Sequence, residues 1–317
     1  MTNGEMKSYY DVTSDTTNFD IPVGINRHQA KEHYMNKFGT FVSKLPAPVV
    51  FAAPERDDIF IIDYSQGPCG FKAYCAEKMV SEVPKDVILG YAAPRVGHAP
   101  EAIAFLAEMY DLEAVFFAPS SKQVSAHQAV VRAYDADLRF VRIPAMPCLN
   151  SWIRDWAKEV GGAALPFGLS HSPDVTAGMV AQADTIGKTH GFPPEFYCAV
   201  STGTMIRGLQ IGWPDAKPVG VAVARNIKKG EIGDGNVTSY WKHFYKGSDY
   251  MPEFDTTSTY DAKCYKRFID EAKPGSYFIN VGSDKQIEHR LNQLPGWEAE
   301  HSFREWGDQS AFEYRAN

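Results

Sequence analysis

An α/β architecture of two lobes, each a largely parallel sheet flanked by helices, is the fold class this sequence predicts. Two observations carry it. Short apolar runs rich in branched and aromatic residues alternate with amphipathic stretches along most of the chain, the strand, helix, strand order that builds parallel sheets covered on both faces. The chain, 317 residues with 44% hydrophobic and 22% charged content, is also long enough to bury one large core or two moderate ones, and its length favours two.

Residues 1 to about 45 are polar and irregular and read as a covering arm, with a short helix through "HQAKEHYMNKFG". Beyond them "VVFA", "IFII", "DVILGY", "EAVFFA", "LRFVRI", "EFYCAV", "PVGVAV" and "SYFINV" read as strands. Helical patterns lie between. In 101–110 the residues Ala102, Ile103, Leu106, Met109 and Tyr110 share one face at the 3.6-residue period, and similar stripes occupy 151–160 and 261–272. The segment 226–259 breaks the alternation and is rich in glycine, charge and aromatics. It reads either as a functional lid or insertion or as a locally folded decoration. The sequence holds no internal repeat and no low-complexity block.

Composition narrows the partners. Net charge is −7, with Lys+Arg 32 against Asp+Glu 39 and no long basic run, so the footprint of a general nucleic-acid binder is missing, although a local basic groove stays open. The polar start has no signal-type apolar core, and no uncharged stretch approaches the roughly 18 residues of a spanning helix. A soluble, cytoplasmic protein with no membrane partner is expected. Five cysteines, Cys69, Cys75, Cys148, Cys198 and Cys264, form no C-x-x-C pair, which suggests neither a metal site nor a disulfide framework. Cys69 and Cys75 flank Lys72 and are either small packing residues or a source of a catalytic thiol.

Two stretches concentrate chemistry. In "YCAVSTGTMIRGLQIG", 197–212, a buried-type strand runs into Ser201, Thr202, Gly203 and Thr204 and then into a helix from about Met205. Backbone N–H groups, hydroxyls and the positive end of a helix dipole thus converge, as a phosphate cradle requires. A plain Ser/Thr helix cap gives the same letters, and neither a nucleotide P-loop nor a dinucleotide G-x-G-x-x-G turn is present. In "GPCGFKAYCAEKMV", 67–80, Lys72 follows a small-residue turn at the mouth of a helix. Either it is an ordinary solvated charge, or its amine holds a carbonyl cofactor; a phosphate cradle and an α/β framework in the same chain are what pyridoxal phosphate needs beside such a lysine.

"GPCGFKAY" resembles the lysine turn of the fold type II pyridoxal-phosphate enzymes, the tryptophan synthase β-like class. The chain is most similar to the aminocyclopropane-carboxylate deaminase and D-cysteine desulfhydrase branch. "AVSTGTMIRGL" resembles that branch's phosphate loop, "ALPFGLSHSPDVTAGMVAQADTIG" its preceding loop and helix, and "TYDAKCYKRFIDEAKPGSYFINVGS" its tyrosine-bearing helix and last core strand. The likeness runs over about residues 46–290. It implies that Lys72 forms the Schiff base with pyridoxal 5'-phosphate, that Ser201, Thr202, Gly203 and Thr204 hold the phosphate, and that Tyr260 lies beside the cofactor, stacking or exchanging a proton with substrate. For Tyr260 the capping of the following helix is the competing reading.

Departures from the branch bear on the reaction. Its Gln-Ser-Asn-His appears here as "PRVGH", so Val96 and Gly97 replace the two polar residues that meet substrate and the cofactor's phenolic oxygen, and neither has a side chain able to do so. Arg95 and His98 are the candidates to take over, Arg95 with a guanidinium suited to a carboxylate and His98 with cap or packing roles as its alternative. The branch's last strand ends in a threonine that meets the pyridine nitrogen; Val281 stands there instead. Ser283 or Asp284 would be recruited, or both cap the helix that begins near Lys285.

The expected activity is that of a pyridoxal-phosphate-dependent lyase acting at Cα of a small amino acid or amino-acid-like group by deamination, β-elimination or decarboxylation. Two alternatives stand beside it. One is an enzyme of the kind found in bacteriophage DNA hypermodification, trimming an amino acid attached to thymine, with Tyr240, Trp241, Phe244 and Tyr245 as a base-stacking surface. The other is a cofactor-binding relic without turnover. The larger lobe is expected to combine 1–72 with 190–317 and the smaller to span 73–189, with "ILGY", "AVFFA" and "RFVRI" as parallel strands. The resemblance also implies a homodimer.

Overall fold

A computed structural model describes residues 18–142, 145–224 and 231–299. The first 17 residues of the expected arm, and 226–230 of the long segment, lie outside the described residues. In chain order the elements are α1 (Arg27–Phe38), β1 (Val49–Ala53), β2 (Arg56–Asp63), α2 (Phe71–Ser81), β3 (Leu89–Ala92), α3 (Ala99–Met109), β4 (Ala114–Pro119) and α4 (Ala126–Ala129). A 3-10 helix (Val130–Tyr134), β5 (Asp137–Val141), α5 (Met146–Val160), β6 (Ala163–Ala164), α6 (Pro173–His190), β7 (Glu195–Val200) and α7 (Thr204–Gly212) follow. The order closes with β8 (Lys217–Ala222), β9 (Asn236–Ser239), α8 (Ala262–Glu271), β10 (Tyr277–Asn280) and α9 (Asp284–Leu291).

All eight apolar runs read as strands are strands, and their branched and aromatic side chains explain why: on a pleated surface these residues pack on both neighbours and lose little rotamer freedom. The chain divides into two compact units, one holding 18–66 and Ser170–Val281, the other Gly67–Leu169 and 282–299. The divisions differ from the 72/73 and 189/190 boundaries expected from sequence. α6 belongs with the first unit because it packs on α1 and α7 through Ala177, Val180 and Ile211. The segment after Val281 belongs with the second because α9 packs on α4 and the 3-10 helix.

The first unit is a six-stranded sheet in the order β1-β2-β10-β7-β8-β9. β1 and β2 pair antiparallel as an edge hairpin; every other pairing is parallel. One face, built from Ile59, Ile61, Tyr197, Val219, Val221 and Phe278, packs against Cys264, Tyr265 and Phe268 of α8. The opposite face meets α7: a Cβ on Gly220 would lie 2.7 Å from Val200 Cγ2 and 3.2 Å from Ile206 Cδ1, so a side chain here would push its neighbours aside. The segment from Glu231 to Thr259 is locally folded. β9 adds a parallel edge to β8, and Tyr240, Phe244, Tyr250 and Phe254 pack against the α8-side core.

The second unit is a parallel four-stranded sheet in the order β5-β4-β3-β6. α5 lays Leu149, Trp152, Ile153 and Trp156 on Ala92, Val115, Phe117 and Val141. α3 departs from the one-faced helix its periodicity predicts. Residues 99–107 are all buried, Glu101 among them, because the helix lies between α2, the sheet and the 3-10 helix. Among the described residues no helix is long and apolar enough to cross a membrane.

A polar knot fastens the ends of the neighbouring strands β2 and β10 of the first unit. Asn280 Nδ2 donates to Asp63 Oδ1 at 2.7 Å and to Asp255 O at 2.8 Å, and Asn280 Oδ1 accepts from Thr256 Oγ1 at 2.7 Å. Asn280 is fully buried and Asp63 nearly so, so replacing only one partner strands the rest without water. Asn280→Leu is expected to lower unfolding free energy by about 2–3 kcal/mol in urea titration; a loss under about 0.5 kcal/mol, the range of surface substitutions, would contradict this role.

Candidate active site

Lys72 is the second residue of α2, just past the N-cap Gly70. Its turn is crowded. Gly67 O accepts from Gln286 Nε2 at 2.9 Å, and a Cβ on Gly282 would sit 3.5 Å from Gly70 Cα. The Lys72 amine donates to Gly168 O at 2.6 Å. Gly168 takes a left-handed conformation, φ 67°, and its own N–H donates to the Tyr91 hydroxyl at 2.9 Å. Tyr91 projects from β3 and is fully buried against Phe116. The sheet thus fixes Tyr91, Tyr91 fixes Gly168, and Gly168 fixes the amine.

Part of the Lys72 side chain remains accessible, yet the amine end is enclosed, and burial pushes its pKa down to about 8. An ordinary surface lysine has neither feature. Cys69 and Cys75 are both buried, and burial drives both thiols well above their ordinary range, so they stay protonated. They are packing residues around the turn.

The second predicted stretch lies in the first unit. β7 ends at Val200, and Gly203, left-handed at φ 73°, is the N-cap of α7 with no side-chain cap. Helix N-terminal N–H groups are therefore left to another acceptor, which is the arrangement of an anion cradle. The Thr202 and Thr204 hydroxyls are 2.9 Å apart. A Cβ at Gly203 would collide with Glu231 O and lie 2.9 Å from Arg207 Nη1, so only glycine fits.

Arg207 braces the turn from behind. Its guanidinium is buried, with Nε on Asp20 Oδ2 at 3.0 Å and Nη1 on Thr202 O at 3.2 Å and Glu231 O at 2.6 Å. Nη2 has no hydrogen-bond partner among the described residues. A buried cation and an uncapped helix start on one loop give a donor set that suits a phosphate.

Tyr260 comes to the same loop, its hydroxyl donating to Ala199 O at 3.2 Å and taking a backbone hydrogen bond from Ser201. Burial, then the charge of Asp261, pushes this phenol well above its ordinary range. Asp261, fully buried, is the residue the sequence reading passed over. Its Oδ2 accepts the Val281 N–H at 3.0 Å, which puts a buried carboxylate at the end of β10. The only signal was an acidic residue directly after Tyr260.

Ser283 and Asp284 are placed differently. Ser283 is the N-cap of α9, accepting from Gln286 N at 3.2 Å while Gln286 Oε1 accepts the Ser283 N–H at 2.9 Å; Asp284 is the first helical residue. Both belong to the second unit, whereas Val281 ends the first. Arg95 is half-buried in the second unit, its carbonyl accepting from Ser125 Oγ at 2.7 Å. His98 is the N-cap residue of α3, yet its side chain caps nothing and bonds Glu101 instead.

No protein-family model and no curated protein sequence matches this chain. Solved structures do. An ACC deaminase homologue aligns with a TM-score of 0.65 at 16% identity, over 83% of this chain and 98% of its own. The processed form of threonine deaminase isoform 2 from Solanum lycopersicum gives 0.65 at 14%, over 87% and 96%. A pyridoxal 5'-phosphate-dependent aspartate racemase gives 0.61 at 12%, over 83% and 97%.

The fold is that of the fold type II pyridoxal-phosphate enzymes. At these identities the likeness is one of fold.

Lys72 reactivity is directly measurable in cofactor-free protein. Only the neutral amine acylates, so with a small amine reagent its labelling should pass its midpoint at about pH 8, while exposed lysines reach theirs near the ordinary value of 10.5. A Lys72 midpoint above about 10 would show that the amine is solvated.

Proposed function

We propose that the protein is a pyridoxal 5'-phosphate-dependent enzyme of the lyase type that acts at Cα of a small amino acid or amino-acid-like group. The observation that supports it most is the Lys72 amine, withdrawn from water, pushed down to about 8 and aimed by Gly168 O. A lysine in this state is a nucleophile at neutral pH, which carbonyl capture requires. The cofactor, when bound, supplies an electron sink for the bond broken at Cα.

The chain's own residues divide the remaining work. Ser201, Thr202, Gly203 and Thr204 hold the phosphate through backbone N–H groups and hydroxyls, and Arg207 keeps the turn in its left-handed form. Asp261, in place of Ser283 or Asp284, would serve as the carboxylate partner of the cofactor's ring nitrogen, and its charge there would favour the protonated ring. Ser283 serves as a helix cap. Tyr260 stays neutral and closes the side of the cradle. Arg95 pairs with the substrate carboxylate, and Lys72, once released, moves protons at Cα. A homodimer in the cytoplasm is the setting proposed for it.

A DNA-linked substrate is a second reading, supported by two rings. Trp241 is 76% exposed and Tyr245 60% exposed, with Lys242 4.8 Å from the Trp241 ring centre. Tyr240 and Phe244 pack inward, and Lys242 is paired with Asp249, so half of the expected stacking surface serves the core of its own unit.

Purified protein mixed with pyridoxal phosphate is expected to absorb near ~420 nm, and Lys72→Ala to abolish the band. Members of an amino-acid panel should perturb it. An unchanged band in Lys72→Ala would refute the attachment, and a band indifferent to every amino acid would favour a binding protein without turnover. Response to an amino-acid-modified oligonucleotide alone would select the DNA-linked substrate.

A further inference from the structure

Three consecutive residues of the polar arm close on one side chain. Asn18 Nδ2 donates to Arg207 O at 2.7 Å, the Phe19 ring centre lies 5.5 Å from the Arg207 guanidinium carbon, and Asp20 Oδ2 accepts from Arg207 Nε at 3.0 Å. Asn18, Asp20 and Arg207 are all buried. The segment is also tied to itself and to α1. Asp20 N donates to Asn18 Oδ1 at 3.0 Å, Ile21 N to Asn18 O at 2.9 Å, and the Tyr34 hydroxyl to Asp20 O at 2.6 Å. Asparagine, aspartate and arginine go inside a protein only when they are paired, and here the pairing joins the arm to α7.

The guanidinium reaches on from the arm to the turn at the head of α7. Nη1 donates to Thr202 O at 3.2 Å, and the peptide that joins Thr202 to Gly203 is trans. In a trans peptide the C=O and the N–H point in opposite directions. The carbonyl held by Arg207 therefore turns the Gly203 N–H away from the guanidinium. Among the described residues that N–H and the N–H of Thr204 donate to no protein acceptor. If this peptide turned over, a carbonyl oxygen would replace the Gly203 N–H on that side and repel an anion.

We propose that Asn18–Asp20 is a clasp on the phosphate site: through Arg207 its docking holds the 202–203 peptide in the anion-binding orientation, so that phosphate binding and docking of the arm favour each other. The proposal rests on the reading of the 201–204 turn as the seat of the cofactor's phosphate. Asp20 and Arg207 are positioning residues in it, acting through the peptide. The coupling runs both ways. An anion that fixes the Gly203 N–H fixes the carbonyl on which Arg207 rests, and with it the ion pair to Asp20. An undocked arm leaves Arg207 without its counter-ion and the peptide free to turn. The arm is thereby a part of the site, although it lies more than 180 residues from the turn in sequence.

Hydrogen exchange at the Asp20 and Ile21 amides, both bonded within the segment, reads docking directly. In the full chain, saturating inorganic phosphate, and separately pyridoxal 5'-phosphate, should slow both amides about tenfold, a coupling of ordinary size. Pyridoxal, which lacks the phosphate, should leave them unchanged. Asp20→Ala should lose about tenfold in affinity for pyridoxal 5'-phosphate relative to its affinity for pyridoxal, whereas general damage to the fold would weaken both alike. Exchange indifferent to both phosphate compounds while the cofactor absorbance band forms overturns the clasp and leaves the cofactor reading standing. Equal slowing by pyridoxal, or equal loss of both ligands in Asp20→Ala, overturns it as well. If no band forms yet phosphate slows the exchange, the clasp stands on an anion site and the cofactor reading fails; with neither effect, both fail. The wild-type exchange decides even if Asp20→Ala does not fold.

Discussion

The Lys72 amine, taken out of water and set on a single backbone carbonyl, is the constraint on which the proposed chemistry depends. An ammonium so placed loses hydration that one hydrogen bond does not replace, and its pKa falls to about 8. Keeping the amine there takes a chain of supports reaching into the core. Gly168 must be left-handed to aim its carbonyl, Tyr91 must hold the Gly168 N–H, and the β3–β4 pairing must hold Tyr91 beside Phe116. Each of these residues holds the one carbonyl on which the amine rests.

The first unit solves a complementary problem, the gathering of positive charge without a surface basic patch. The net charge of −7 is irrelevant at the head of α7, where uncapped N–H groups and the buried Arg207 guanidinium lie on one turn. Arg207 also ties that turn to Asp20 and to Glu231, segments far from it in sequence. Part of the polar arm and part of the long insertion thereby serve the cradle.

Much of the fold was legible because it rests on local pattern. Strands such as "EFYCAV" and "AVFFAP" are buried on both faces, so their residues are apolar throughout and stand out between helical periods. The 201–204 turn was legible as a helix start because Ser, Thr and Gly favour that position, and α7 begins at Thr204. What escaped the sequence depends on tertiary placement. β9 has an unremarkable "NVTS" that becomes a strand only because β8 offers an edge. Glu101 falls on the polar side of its own helix and is buried by neighbours that sequence does not reveal. Asp261 gains its contact from Val281, 20 residues away, and of the two readings open for Ser283 the capping box with Gln286 is the one its contacts display. The unit boundaries shifted for the same reason, since which helix covers which sheet is decided by packing.

Reduction with borohydride after incubation with pyridoxal phosphate, followed by peptide mass mapping, tests the central claim most directly, because it turns a carbonyl attachment into a stable bond where it formed. The account predicts a single modified peptide, the one containing Lys72, in stoichiometric yield. Modification spread over surface lysines, or a Lys72 peptide recovered without added mass, would contradict it.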